Sequence, residues 1–320
     1  MMSAFKCIYT LSMRRLCGVA LCFGVGLLAC AGPNSARASQ LYSTSSTVSS
    51  QYVLDIDPTS GRVGIGSSLY NGASPAIEQF ANLAFGNGTL YATSALSTSQ
   101  ALLAFDPATG AIRNVGMLRN SAGTDVVDQL ANLAFGNGRL YATSVYGTSQ
   151  YILDIDPATG LTHVGSRLVT TAGIGVADQL VDLTFGNGSL YATAVFGSTQ
   201  KILTIDPLTG TTQVGAALVT NAGVGVRDQL ANLAFGDGRL YATAVFGRSQ
   251  RLLDIDPSTG LTLLGAPLIT TAGNPVTEQL TTLTFAPGPT SPVPLPPAVL
   301  LFGCGLVALG AGRRRGRRFC

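Results

Sequence analysis

The feature that most constrains this chain is an internal repeat of about 50 residues. The string Asn-Leu-Ala-Phe-Gly-Asn-Gly-x-Leu-Tyr-Ala-Thr occupies 82–93 and 132–143, with close versions at 182–193 and 232–243. An Asp-Pro pair with Gly three residues on recurs at Asp57, Asp106, Asp156, Asp206 and Asp256. Spacings of 49 and 50 residues belong to propellers and some solenoids.

Each unit reads as four strands, exemplified by Gln179–Phe185, Leu190–Phe196, Lys201–Ile205 and Thr212–Gly215. Asn-Gly between the first two suits a tight hairpin, because both residues tolerate positive φ. Asp-Pro-x-x-Gly between the last two is a turn in which Asp bonds its own backbone, Pro presets φ and Gly closes. Four up-and-down strands per repeat predict one propeller blade. The array is truncated in a complementary way. Its last unit stops at Thr281–Gly288, and the body begins with Leu41-Tyr42-Ser43-Thr44-Ser45, the strand missing from that unit. The expected fold is therefore all-β, a five-bladed β-propeller closed by the N-terminal strand pairing with the last repeat. Closure would remove the open strand edges of a linear array.

Composition bears on the ends. Of 19 basic residues, Lys6, Arg14, Arg15 and Arg37 precede residue 39, and Arg313, Arg314, Arg315, Arg317 and Arg318 follow residue 312. All 16 acidic residues lie between, with ten basic ones. An acidic body lacks the basic stripe of a nucleic-acid binder. Lys6, Arg14 and Arg15 followed by the apolar run 16–31 read as a secretory signal, residues 1–38, with Ala36 and Ala38 as the cleavage pattern. Cys30, in Leu27-Leu28-Ala29-Cys30, offers lipidation as an alternative. The body would span 39–288, followed by a Pro-rich linker over 289–297. An apolar span over 298–312 and a basic tail over 313–320 predict one transmembrane segment with the body facing outward. All six Cys fall in these two ends, so the body has no disulfide framework and no thiolate metal site.

Val293-Pro294-Leu295-Pro296, the Gly-containing apolar span and the Arg cluster resemble the PEP-CTERM family of sorting tails, in its Val-Pro-Leu-Pro-Ala variant. Leu295 stands where the parent motif has Glu, and Pro297 where the variant has Ala. The resemblance covers about the last 30 residues. It implies recognition by an exosortase-type membrane enzyme, and a carrier that makes exopolysaccharide or biofilm. Localisation would then be the inner membrane facing the periplasm, and afterwards the cell surface or matrix. The body resembles secreted bacterial β-propeller repeat proteins in general.

Five acid–amide pairs end the long loops: Glu78-Gln79, Asp128-Gln129, Asp178-Gln179, Asp228-Gln229 and Glu278-Gln279. In a ring they would surround the mouth of the axial channel, either as a polar-ligand or cation site or as loop ties to local backbone. Asp55, Asp154 and Asp254 give way to Ala104 and Thr204 in the other units, which suits a turn better than a metal site. The single His163 aligns with Asn114, Gln213 and Leu263 and reads as a strand-surface residue. No catalytic residue, metal or cofactor is expected. The leading expectation is a binding or structural module, with exopolysaccharide as the candidate ligand, using variable basic positions Arg119, Arg167, Lys201, Arg227, Arg248 and Arg251. The alternative is a secreted polysaccharide hydrolase built on acids such as Asp128 and Asp178.

Overall fold

The computed structural model describes residues 39–288, except 47–50, 73, 76–79, 97–98, 127–129, 131, 177–179, 181, 227–229, 231, 247–248, 277–279 and 281. The chain divides into units Met1–Ser35 and Ala36–Cys320, and every described residue lies in the second. The signal segment, the linker, the apolar span, the basic tail and the sorting motif lie outside the described residues.

The described residues form a five-bladed β-propeller without helix. Blade 2 runs Phe80–Gly86, Thr89–Leu96, Ser99–Phe105 and Ile112–Met117, paired in that order from the axis outward. Blades 3, 4 and 5 repeat it, with inner strands Ala134–Gly136, Leu183–Gly186 and Leu233–Gly236. Blade 1 combines Gln40–Ser46, Gln51–Ile56 and Arg62–Ser68 with Thr284–Ala286 as its inner strand. There Gln40, Leu41 and Tyr42 pair antiparallel with Ala286, Phe285 and Thr284. Thr284–Ala286 lies beside the inner strands of both blade 5 and blade 2.

The turns form as their chemistry requires. Asn87, Asn137, Asn187 and Asp237 all have φ near +50°, each followed by a Gly at φ 76–79°. Two successive positive φ values make the type I′ hairpin that matches strand twist. In the outer turns the Asp carboxylate accepts from the backbone two residues on, as from Ala158 N to Asp156 at 2.8 Å and from Leu208 N to Asp206 at 2.9 Å. Asp57 and Asp256 are held down at about 2, first by the hydroxyls of Ser60 and Ser258 respectively.

Every outer edge is covered. Beyond its outer strand, each blade sends a short segment parallel to the outer strand of the next. Tyr70 bridges to Ala111 and Arg119 to Leu161, while Val169, Val219 and Ile269 pair with Thr211, Leu261 and Arg62. Pairing this edge blunts the template for sheet-to-sheet association. Between segment and strand, Leu69, Leu118, Leu168, Leu218 and Leu268 are fully buried. Each donates its N–H to the third-strand Gln carbonyl of its own blade at 2.8 Å.

The joints between blades share one motif. The inner-strand Phe of each blade meets the second-strand Tyr of the blade before it. Tyr91–Phe135, Tyr141–Phe185, Tyr191–Phe235 and Tyr241–Phe285 stack at 5.3–5.9 Å with interplanar angles of 2–12°. Gly86, Gly136, Gly186 and Gly236 lie under those Phe rings, where any Cβ would collide with the ring. The fifth joint differs: Ala286 replaces Gly, and Tyr42 and Phe85 are tilted by 34° at 5.8 Å.

Candidate functional site

Two places on the ring merit functional attention, the axis and the crevices between blades. The five inner strands surround an axial cavity of about 260 Å³, lined by the Leu-x-Phe pair of each strand from Leu83 and Phe85 to Leu283 and Phe285. Ala134, Thr184, Gly236, Asp237, Thr284 and Pro287 complete the wall. Its hydroxyls already serve the joints: Thr184 Oγ1 accepts from Phe235 N and Thr284 Oγ1 from Phe85 N, both at 3.0 Å.

At the other end of the inner strands one aligned position varies in its chemistry. Asn82, Asn132, Asn232 and Thr282 are buried, and Asp182 takes their place in blade 4. Its Oδ1 accepts from its neighbour Leu183 N at 2.7 Å, and Oδ2 accepts from Leu233 N of blade 5. Burial pushes this carboxyl up to about 7, against the pull of those two N–H donors. The repeat shows the signal plainly, as the one Asp in a column of three Asn and one Thr.

The crevices open where the second and third strands turn back, opposite the Asn-Gly turns. Strand alternation sends neighbouring residues to opposite faces of a blade. Phe196 packs against a cluster that includes Tyr141 and Ile152 of blade 3, so its face of blade 4 looks toward blade 3. Lys201 Nζ sits over that ring, 5.6 Å from its centroid. On the facing side, Val145 is 55% exposed. The same register position holds Tyr52, Ala101, Tyr151, Lys201 and Arg251, opposite Ser45, Ser94, Ser144, Ala194 and Ala244. In blade 3, Tyr151 meets Tyr146 edge to face at 5.6 Å and 74°. In blade 5, the Arg251 guanidinium reaches Gly265 O at 3.5 Å. Three successive crevices therefore present an aromatic pair, a cation over an aromatic ring, and a guanidinium, on one repeated frame.

The ten acid–amide residues, Glu78, Gln79, Asp128, Gln129, Asp178, Gln179, Asp228, Gln229, Glu278 and Gln279, lie outside the described residues, as do Arg227 and Arg248. Arg119 forms an ion pair with Asp125 at 2.8 Å. His163 is exposed on an outer strand, paired in register with Asp154. Asp154 and Asp254 have partners: Arg139 and Arg239 reach them through Nε at 2.6 Å and approach Asp156 and Asp256 at 3.9 and 3.7 Å. Blades 2 and 4, without that Arg, carry Thr89 with Ala104 and Ser189 with Thr204, while blade 1 keeps Asp55 with Gln40, so Arg and Asp vary together in blades 2 to 5 only. Among the described residues no group of His, Cys, Asp and Glu is arranged to hold a metal ion.

No family model matches the chain, and no curated protein does. Among solved structures it is similar to the glutaminyl cyclase of Myxococcus xanthus, at 16% identity over 59% of this chain and 71% of that one, with a TM-score of 0.39. TolB from Acinetobacter baumannii matches at 14% identity over 78% of this chain and 54% of that one, with a TM-score of 0.43. A nidogen/laminin complex matches at 11% identity, 78% and 98% coverage and a TM-score of 0.42. None of these likenesses bears on activity.

Proposed function

We propose that this protein is an exported β-propeller, held or sorted by its C-terminal tail, whose interblade crevices bind an acidic exopolysaccharide. The observation that carries the reading is the single register position that holds Tyr151, Lys201 and Arg251 at three adjacent crevice mouths. Cations recognise the carboxylates of a polyuronate, and aromatic faces and edges take the apolar side of a sugar ring. A single cation or aromatic contact of this kind is weak. A polymer that spans several crevices gains through effective concentration. A rigid ring suits this task, because its crevices keep fixed spacing. Two devices keep it rigid at the seam: the pairing of Gln40–Tyr42 with Thr284–Ala286, and Ile269–Thr270 laid along Arg62–Val63.

Export and anchoring rest on the residues of the two ends, from Lys6 through Ala38 and from Val293 through Arg318. In this reading an exosortase-type enzyme and the membrane are the processing partners. The test is a glycan panel against the full chain, comparing polyuronates with neutral glucans at matched length. Binding to the acidic polymers with little to the neutral ones is expected. Equal binding to both, or to neither, would remove the proposal.

A further inference from the structure

The axial position held by Asp182 in blade 4 carries an inference independent of the crevices. In blades 2, 3 and 5 an Asn at or just before the start of the inner strand serves a polar niche. Asn132 Oδ1 accepts from Thr143 N and Oγ1 at 3.1 and 3.0 Å, and Asn232 Oδ1 from Thr243 N and Oγ1 at 3.0 and 2.9 Å. On the other side of the niche, the Nδ2 groups of Asn82 and Asn232 donate to Leu130 O and Leu280 O of the next blade at 3.0 Å. In blade 5 the niche thus takes an acceptor on one side and a donor on the other; in blade 2 Asn82 Nδ2 also donates to Thr93 Oγ1 at 2.9 Å, and in blade 3 Asn132 Nδ2 has no partner among the described residues. An amide supplies both.

In blade 4 the corresponding groups are Thr193 and Leu230. A carboxylate can only accept, so one oxygen would face the Leu230 carbonyl at close range. Asp182 instead turns out of the niche to the N–H groups of Leu183 and Leu233. Thr193, 1% exposed, is left with a hydroxyl that has no partner. A buried orphan of this kind is costly. A neutral carboxylic acid has one accepting oxygen and one O–H, the same pattern as an amide.

We propose that Asp182 is a proton-operated latch on the joint between blades 4 and 5. Ionised, it grips the Leu233 N–H across the joint. Protonated, it enters the niche, accepting from Thr193 and donating its O–H to the Leu230 carbonyl, as Asn232 does with Thr243 and Leu280 in blade 5. The chemistry is one proton taken from or returned to solvent, with no other bond made or broken. The strands packed on its own are the inner strands of blades 3 and 5 and Ser189–Phe196. Among their described residues the one titratable side chain is Tyr191, stacked on Phe235. Asp178, Arg227 and Asp228, on the approaches to blades 4 and 5, lie outside the described residues.

The test follows the Asp182 carboxyl carbon and the Leu233 amide by NMR in the full chain from pH 5 to pH 8. Both signals are expected to titrate together with one midpoint near neutrality, and the Thr193 hydroxyl or amide should become protected at the acid end. Asp182→Asn, an exchange that blades 2, 3 and 5 already make, is expected to remove the titration and leave Leu233 in its acid-end state at every pH. Thr193→Val should lower the midpoint, because the protonated form loses a partner. A carboxyl that titrates below pH 5, a Leu233 amide flat across the range, or an unchanged titration at Leu233 in Asp182→Asn would overturn the latch.

Discussion

Gly136 lies directly beneath the ring of Phe185, so the joint between blades 3 and 4 closes only because position 136 has no side chain. Four of the five joints repeat this pairing. The stacked Tyr on the far side of the ring holds it in place. At the fifth, Ala286 supplies the methyl that the others exclude, and the Tyr42–Phe85 pair answers by tilting to 34°. Gly136→Ala should therefore destabilise the ring by about 1–3 kcal/mol through overpacking. Ala286→Gly should shift stability by less than about 1 kcal/mol while flattening the Tyr42–Phe85 angle toward the others. Thermal unfolding and a crystal structure of each variant check both statements.

The ion pairs Arg139–Asp154 and Arg239–Asp254 are partly exposed, at 29–40% for their side chains. Pairs in such positions contribute about 0.2–1 kcal/mol. A double-mutant cycle on Arg139→Ser and Asp154→Thr, the residues found in blade 4, should give a coupling energy in that range. A coupling above about 2 kcal/mol would mean that the pair supports more than its own hairpin.

The carboxylates predict a stability profile with two slopes of opposite sign. Asp57 and Asp256 titrate near 2 in the fold against 3.8 otherwise, so their stabilisation is complete above pH 4 and is lost as pH falls toward 2. Asp182 titrates near 7, so the folded state takes up its proton first, and its ionised form opposes folding above pH 7. From these groups the midpoint of thermal unfolding should rise as pH falls from 8 toward 4, then decline. Asp182→Asn should flatten the upper slope and leave the acid limb in place. Calorimetry across this range measures both.

Recognition through Lys201 and Arg251 should weaken with salt. The screening length contracts from about 10 Å at 0.1 M to about 3 Å at 1 M. Lys201→Ala with Arg251→Ala should lower polyuronate affinity about ten-fold or more. Both side chains lie toward the crevice mouths, so the double variant should change stability by no more than about 1 kcal/mol. Titration calorimetry with the polymer, alongside thermal unfolding, separates the two effects.

The blade and its turns were legible because they are local. Asn187-Gly188 and Asp206-Pro207 specify their hairpins within five residues, and the 50-residue spacing counts the blades. The joint was not. Gly136 and Phe185 sit at different positions of different repeats, and only the packing of one blade on the next brings them together. The variation of Asp154 among the repeats argues against a metal site but names no partner for it. Its Arg139 partner stands fifteen residues back on the adjacent strand, though the matched loss of Arg and Asp in blades 2 and 4 encodes the pair. Asp182 was equally visible, as the one Asp in a column of three Asn and one Thr, but its meaning depends on Thr193 and Leu233. The acid–amide pairs, read as the channel mouth, fall outside the described residues. Meanwhile the crevice position of Tyr151, Lys201 and Arg251 emerges from strand register, which no repeat alignment states.

The central claim is that several weak crevices act together on one chain of sugar. Its most direct test is the apparent affinity of the full chain for polyuronate fragments of increasing length, from a disaccharide to a polymer long enough to cross three blades. The account predicts weak binding to the shortest fragments and a rise of about 10²-fold or more once a fragment spans adjacent crevices. An affinity per fragment that does not change with length would contradict it.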